Sequence, residues 1–261
     1  MTGTKPKVLI TGASGLIGGL VIRDLASKYA FSGLSRRPVS GIPHTAADIT
    51  DPVAIRKAMA GMDMVLHLAA ETEDYDDWEK VQRITMGGTL NMYRAAQEAG
   101  VKRVVFASAG STMIGYEWYE GSPYGQLAAG ELDRLPEGER MLLHTDPPRP
   151  DTFYSVGKLF GEHTGRLFSD RYGMSVLVIR VGAVLPDDKP TLVRELPGYL
   201  SHRDLVSMID KCLSAPPDLK FDIFHALSEN ARRWRDTDHA KRVLGWTPVD
   251  SSDVFDPATL A

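Results

Sequence analysis

The sequence predicts a doubly wound α/β fold: a parallel sheet covered on both faces by helices, with a small carboxy-terminal cap. Three observations predict it. Short, fully apolar runs of strand length alternate with longer segments of helical spacing, the pattern of buried parallel strands and their helical crossovers. A glycine-rich turn stands between the first strand and the first helix. The chain has 261 residues and is 43% hydrophobic, enough for one large core or a core with a small appendage.

The elements follow in order. Val8–Thr11 is the first strand, and a helix over Leu16–Tyr29 returns the chain for strands at Ala30–Leu34 and Pro43–Ala47. Asp51 caps a helix over Pro52–Ala60, with proline in the first turn, where its missing N–H goes unused. Met64–Leu68 is the fourth strand. Trp78–Ala99 reads as one long helix that Gly100 ends, and Val104–Ser108 is the fifth strand. Gly110–Arg149, rich in Gly, Pro, Tyr and Glu, breaks the alternation and reads as a lid or binding loop. Helical spacing resumes over Thr152–Tyr172 and leads into a strand at Val176–Val181. Beyond Leu185 come prolines, a helix over Arg203–Leu213, a strand at Phe221–Ala226 and a terminal helix over Thr237–Leu244, together the cap. No internal repeat or low-complexity tract interrupts this order.

Composition excludes several classes. With 25% charged residues and a net charge of −4, no basic face for nucleic acid is expected. The single cysteine, Cys212, has no partner for a disulfide and sits in a helical, core-facing setting. No stretch approaches the roughly 20 apolar residues that span a bilayer, and Met1–Lys7 lacks the apolar run of a leader, so no membrane partner and a cytoplasmic location are expected. The seven histidines show no H-x-x-x-H spacing, so no metal is expected, and His67 reads as a strand residue.

The turn after the first strand reads Thr11-Gly12-Ala13-Ser14-Gly15-Leu16-Ile17-Gly18. Gly12 allows the tight turn, Gly15 lets backbone N–H groups approach a pyrophosphate, and Gly18 lets the helix pack on the strand. The helix amino terminus adds partial positive charge. Gly12, Ser14, Gly15, Leu16, Ile17 and Gly18 are therefore candidate dinucleotide contacts. The second strand ends in Ser35-Arg36-Arg37, with no carboxylate for ribose hydroxyls and two guanidiniums suited to a 2′-phosphate. This favours NADP over NAD; as a second reading, both arginines are solvated surface groups.

Tyr154 and Lys158 stand four residues apart on one helix face. An ammonium near a phenol favours phenolate, and bringing a tyrosine from roughly 10 to about 7 takes about 4 kcal/mol of differential stabilisation. With the glycine loop, this pair resembles the extended short-chain dehydrogenase/reductase family over nearly the whole chain. The resemblance implies a Rossmann-type domain over residues 1–185 and a small substrate-binding region over 186–261 that is not an independent domain. It also implies an adenine contact from Asp48 with Ile49, a cofactor wall from Leu68, Ala69 and Ala70, and a contact from Arg180. Within the family, the tail residues Ser201-His202-Arg203-Asp204, Asn230 to Asp236 and Leu244-Gly245-Trp246-Thr247-Pro248 most resemble uronate dehydrogenases and their sugar-oxidising relatives. Those relatives prefer NAD, against the reading of Arg36 and Arg37.

Two positions depart from the family. Ala109 stands where a second hydroxyl polarises the substrate oxygen, which leaves Ser108 and Ser111 as unseparated candidates for that role. Thr85 stands where an asparagine is usual. The expected activity is hydride transfer between nicotinamide and a small sugar, sugar acid or related alcohol or carbonyl compound. A nucleotide-sugar epimerase or dehydratase and a non-catalytic NAD(P)-binding sensor remain as alternatives. Arg203, Arg232 and Arg233 are candidates for a substrate carboxylate or else surface groups, Glu71–Asp77 reads as a solvated loop and helix entry, and the resemblance implies a homodimer through the helix bearing Tyr154.

Overall fold

A computed structural model describes residues 4–261; Met1–Gly3, the start of the stretch read above for a leader, lies outside the described residues. Seven strands form one sheet: β1 (Lys7–Thr11), β2 (Ala30–Ser35), β3 (His44–Ala46), β4 (Met64–His67), β5 (Arg103–Ala109), β6 (Ser175–Val181) and β7 (Phe221–Ala226), in the order β3-β2-β1-β4-β5-β6-β7. Every predicted strand is present, with no end moved by more than one residue. β1 pairs in parallel with β2 on one side and β4 on the other, Val8 opposite both Phe31 and Met64. The winding reverses there, which opens a crevice beyond the carboxyl ends of these two strands. Val8, Leu9 and Ile10 are completely buried, so both faces are covered and no polar alternation appears in the sequence.

Two compact units interleave along the chain: Met1–Ser108 with Thr152–Val178 and Cys212–Asp222, and Ala109–Asp151 with Ile179–Lys211 and Ile223–Ala261. In the first unit, α1 (Leu16–Leu25) stops short of the predicted Tyr29. The amides of Lys28 and Tyr29 both turn back to the Leu25 carbonyl, and the Tyr29 ring packs on Phe31 at 5.8 Å. Asp51 caps α2 (Pro52–Met59) by accepting from Val53 and Ala54.

The long helix α3 is not uniform. It runs as an α-helical turn, Trp78–Lys80, a π-helical stretch, Val81–Gly87, and an α-helix, Gly88–Glu98. Val81, Ile84 and Thr85 are buried on this stretch; their spacing is that of an ordinary helix face, so the wider turn leaves no mark in the apolar pattern.

The helix carrying Tyr154 and Lys158 runs over Phe153–Tyr172 and is called α5 here, α4 being Pro123–Ala129 in the second unit. Thr152 caps α5 by accepting from Ser155, and Gly173 ends it at φ 69°. Gly157, Gly161 and Gly165 recur every fourth residue on its inner face. A Cβ at Gly161 would overlap the Phe106 ring, and one at Gly157 would stand 2.9 Å from Val81. The missing side chains let α5 lie close against β5 and the π turn, so short reaches suffice for the residues between the glycines.

In the second unit the Gly110–Arg149 excursion is a packed layer rather than an open lid. It begins as a 3-10 helix over Gly110–Glu117 and continues through α4. Met113, Tyr124, Leu127 and Leu142 form a core with Trp234. Leu142 exchanges backbone hydrogen bonds with the tail, donating to Trp234 at 2.8 Å and accepting from Asp236 at 2.9 Å. The tail adds α6 (His202–Leu213) and α7 (Asp238–Leu244). Buried Asp204 knots it together, accepting from Ser228 Oγ, Val249 N and Asp250 N at 2.6, 2.8 and 3.1 Å.

Candidate active site

The loop after β1 is built as a cradle for a phosphate group. Gly12 takes φ 73°, where a side chain would be strained, and a Cβ there would come 2.9 Å from the Ala69 amide. The Gly15 amide closes the turn on the Gly12 carbonyl at 3.0 Å. Gly15 and Leu16 are exposed, Ser14 and Ile17 half-buried. No side chain caps α1, so the N–H groups of its first turn are open to an anion. Gly18 is buried against the Ala13 carbonyl, where a Cβ would stand 2.5 Å away. The residues present fit a bound pyrophosphate.

Around the cradle, Leu68, Ala69 and Ala70 follow β4 half-buried, the Leu68 amide bonded to the Thr11 carbonyl. At the end of β2, Ser35 is buried and its hydroxyl donates to the Arg37 carbonyl, while Arg36 and Arg37 are exposed. Asp48 lies next to buried Ile49. Burial works to raise the Asp48 pKa, but the Thr50 amide and hydroxyl, with Arg36 and Arg83, more than offset it and hold the carboxyl below its ordinary value. Arg83, on the π turn, was not read from the sequence as part of this region.

On α5, Lys158 is 2% exposed and donates to the Ala107 carbonyl at 2.8 Å. Its Nζ lies 5.4 Å from the centre of the Tyr154 ring. Burial alone pulls the ammonium down to about 7. Tyr154 is half-buried; its amide donates to the Tyr75 carbonyl at 2.9 Å and its ring meets the edge of Tyr75 at 5.2 Å. The acidic run is a largely exposed loop that ends in the Asp77 cap of the next helix, as read from the sequence, but it is also internally bonded. Glu71 is buried and accepts from the Glu73 and Asp74 amides, and Asp76 accepts from the Phe153 amide. The run folds on itself through Glu71 and docks on the amino end of α5.

Thr85, at the family's asparagine position, is fully buried and accepts from the Glu71 amide at 3.0 Å. His67 pairs with Thr11 Oγ1 at 2.6 Å and Thr89 Oγ1 at 3.0 Å. Burial, then the neighbouring Lys158, lowers its pKa to about 3 and keeps it neutral. Of the two candidate hydroxyls, Ser108 is buried and donates to Glu162 Oε1 at 2.5 Å. Glu162, one turn beyond Lys158, escaped the sequence reading although the four-residue spacing from Lys158 marks the shared face.

The remaining candidates fall in the second unit. Ser111 lies half-buried in the 3-10 segment directly after β5. Buried Arg180 donates to Met113 Sδ at 3.4 Å and to the His144 carbonyl at 3.3 Å. The three arginines read as carboxylate binders are instead tied to the chain's own carboxylates: Arg203 to Asp250, Arg232 to Asp133, and Arg233 to Glu229 at 2.5 Å. Two other guanidiniums share one carboxylate. Arg194, 60% exposed, lies 3.7 Å from Glu117. Arg235 is 4% exposed, and burial lowers its pKa to about 10 although Glu117 opposes the shift. Gly110, next to Ala109, is required there, since a Cβ would overlap Arg235 Nη1. Burial also raises the Glu117 carboxyl above its ordinary value, against both arginines.

A switch-point sheet, a phosphate cradle and a Tyr-x-x-x-Lys helix packed on β5 define an oxidoreductase that binds a nicotinamide dinucleotide, of the extended short-chain type. The chain belongs to the NAD dependent epimerase/dehydratase family, which residues 8–190 match. It is 33% identical over 258 residues to an NAD-dependent glucose-6-phosphate dehydrogenase of Haloferax volcanii, covering 95% of each chain. It is 30% identical to a uronate dehydrogenase of Pseudomonas putida, covering 98% of this chain and 88% of that one. Among solved structures it matches a mutant uronate dehydrogenase from Agrobacterium tumefaciens complexed with NAD, at TM-score 0.80 and 29% identity, over 98% of this chain and 89% of that one.

Proposed function

We propose that this protein oxidises a small anionic sugar, a sugar acid or sugar phosphate, at a hydroxyl-bearing carbon. The carrying observation is the Tyr154–Lys158 pair, with Lys158 buried, held on the Ala107 carbonyl and set beside the tyrosine ring. The bound nicotinamide supplies the hydride acceptor. Tyr154 Oη takes the substrate hydroxyl proton, and the Lys158 charge favours the phenolate that can do so. Because burial holds Lys158 near 7, the negative charge of a bound dinucleotide and of the phenolate itself would restore its proton when the site fills. Ser108 and Ser111 are both carried as candidates for the hydroxyl that orients the reacting oxygen, the Ser108 hydroxyl donating to Glu162 in this structure. Gly12, Ser14–Gly18, Asp48, Ile49 and Leu68–Ala70 hold the dinucleotide, and residues 186–261 contribute to binding the sugar.

An anionic substrate is supported by Arg235, a buried guanidinium of the second unit whose pKa burial lowers despite Glu117, and by the substrates named for the dehydrogenases above. Arg36 and Arg37, exposed and positively charged at the end of β2, support acceptance of NADP as well as NAD. Exposed Phe153, Val156 and Leu167 on α5 support pairing of two copies through that helix, and the chemistry suits the cytoplasm. A spectrophotometric screen of glucuronate, galacturonate, glucose 6-phosphate and arabinose against NAD and NADP tests the reading. Reduction of either cofactor by an acid or phosphate ester, in preference to arabinose, is the expected result; arabinose alone as substrate would overturn the anionic class.

A further inference from the structure

The amino edge of the sheet, the end away from the phosphate cradle, holds a cavity of about 1010 Å³ that none of the chemistry above uses. Its walls come from the first residues of four adjacent strands, Lys7 of β1, Met64 of β4, Arg103 of β5 and Ser175 of β6, with Lys220 just ahead of β7. Ligands of open α/β sheets sit at the carboxyl edge, so a large cavity rimmed by cations at this edge calls for its own explanation.

Charge supplies one. The walls carry five cations, Lys5, Lys7, Lys102, Arg103 and Lys220, and one carboxylate, Asp63, a local excess of +4 (5 − 1) in a chain of net −4. The ends of α2, α3 and α5, at Gly61, Gly100 and Gly173, also line the cavity. Three helix carboxyl ends contribute roughly −0.5 each, about −1.5 in all, so a surplus of more than two positive charges remains. None of the five cations forms an ion pair among the described residues. Lys5 donates to the Ala26 carbonyl. Buried Arg103 spends its donors on Ser175 Oγ and on the carbonyls of Leu213, Ala215 and Pro216, which fix the guanidinium but leave its charge uncancelled. Burial accordingly lowers its pKa. Tyr172 adds a half-exposed ring to the rim, and a volume at the upper end of small-molecule sites suits a ligand of nucleotide size.

We propose that this cavity binds the polyphosphate group of a small molecule, with Arg103 as a fixed charge in the floor and Lys7, Lys102 and Lys220 as mobile clamps. Lysine ammoniums are point charges that suit phosphate oxygens without demanding one orientation. The site is separate from the dinucleotide crevice and does not depend on the reaction assigned there.

The test is calorimetric titration of the full chain, saturated with NAD so that the cradle after β1 is filled, with inorganic tripolyphosphate and with ATP in parallel. Both are expected to bind, and to weaken as salt rises from about 50 to 300 mM because the clamps are solvent-exposed. Tighter binding of ATP assigns the ring of Tyr172 to a nucleobase; equal binding assigns the site to the phosphate chain alone, and both results support the proposal. The double variant Lys102→Glu/Lys220→Glu, both exposed and remote from Tyr154, should lose at least about tenfold in affinity for either probe with NAD affinity unchanged. Absence of binding by both probes, or equal affinity in the double variant, overturns the proposal.

Discussion

In the first unit a buried ammonium, Lys158, has one hydrogen bond, to the Ala107 carbonyl, whereas in the second unit a buried carboxylate, Asp204, accepts three. Burial pulls Lys158 to about 7. Asp204 sits in a net of Ser201, Ser228, Val249 and Asp250 that closes the tail. The same contrast extends outward: Arg103 is held by neutral oxygens, while Arg203, Arg232 and Arg233 are each matched to an acid. A charge left underpaired in a low dielectric interacts strongly with whatever ligand or proton arrives; a charge fully paired is spent on the fold. Lys158 keeps its charge available for chemistry, and Asp204 uses its own as a fastener.

The largest effect that would break this contrast is on turnover. Tyr154→Phe should lower kcat by about a thousandfold, about 4 kcal/mol in barrier, while calorimetry finds cofactor affinity little changed; near-normal turnover would remove Lys158 from any chemical role. Next, Asp204→Ala strands three donors and should cost about 3 kcal/mol in denaturant unfolding, with dinucleotide affinity unaltered. Weakened cofactor binding at full stability would reverse the assignment of Asp204.

A pH series sharpens the comparison further. The folded Lys158 value lies below the ordinary 10.5, so between these values the unfolded chain binds more protons and stability rises with pH. The penalty is complete below about pH 7 and relieved as pH climbs toward 10.5. For the free protein this adds about 2 kcal/mol between pH 7 and 9, and Lys158→Met should flatten that slope. The smallest effect belongs to Arg203→Met, which breaks an exposed pair with Asp250. It should leave KM for an acidic sugar within about twofold; a tenfold rise would make Arg203 a substrate contact.

The strands were legible because burial on both faces leaves unbroken apolar runs such as Val8–Ile10 and Val104–Phe106, and the cradle because Gly12 and Gly18 are required by backbone geometry that no other residue type meets. What escaped the sequence depends on partners far along the chain. Glu71 looks like one more solvated acid until the amides of Glu73 and Asp74 fold onto it. Arg203 and Arg232 look available until Asp250 and Asp133 arrive from 47 and 99 residues away. Gly110–Arg149 has the composition of a loop, yet its few apolar residues meet Trp234 from the tail. The hydrogen bond of Ser108 could not be read from spacing, because its acceptor, Glu162, lies on another element.

The π turn of α3 makes the site sensitive to residue number as well as residue type. Each residue turns a helix by about 100°. Deleting one residue from Val81–Gly87 would leave the composition of α3 almost untouched, yet it would rotate Trp78–Lys80 by that angle relative to Gly88–Glu98. Thr85, whose methyl now lies against Gly157 and whose hydroxyl accepts from the Glu71 amide, would be displaced from both. A designer grafting this helix has to keep the residue count of Val81–Gly87 as well as its letters, because the width of the turn is part of what fits.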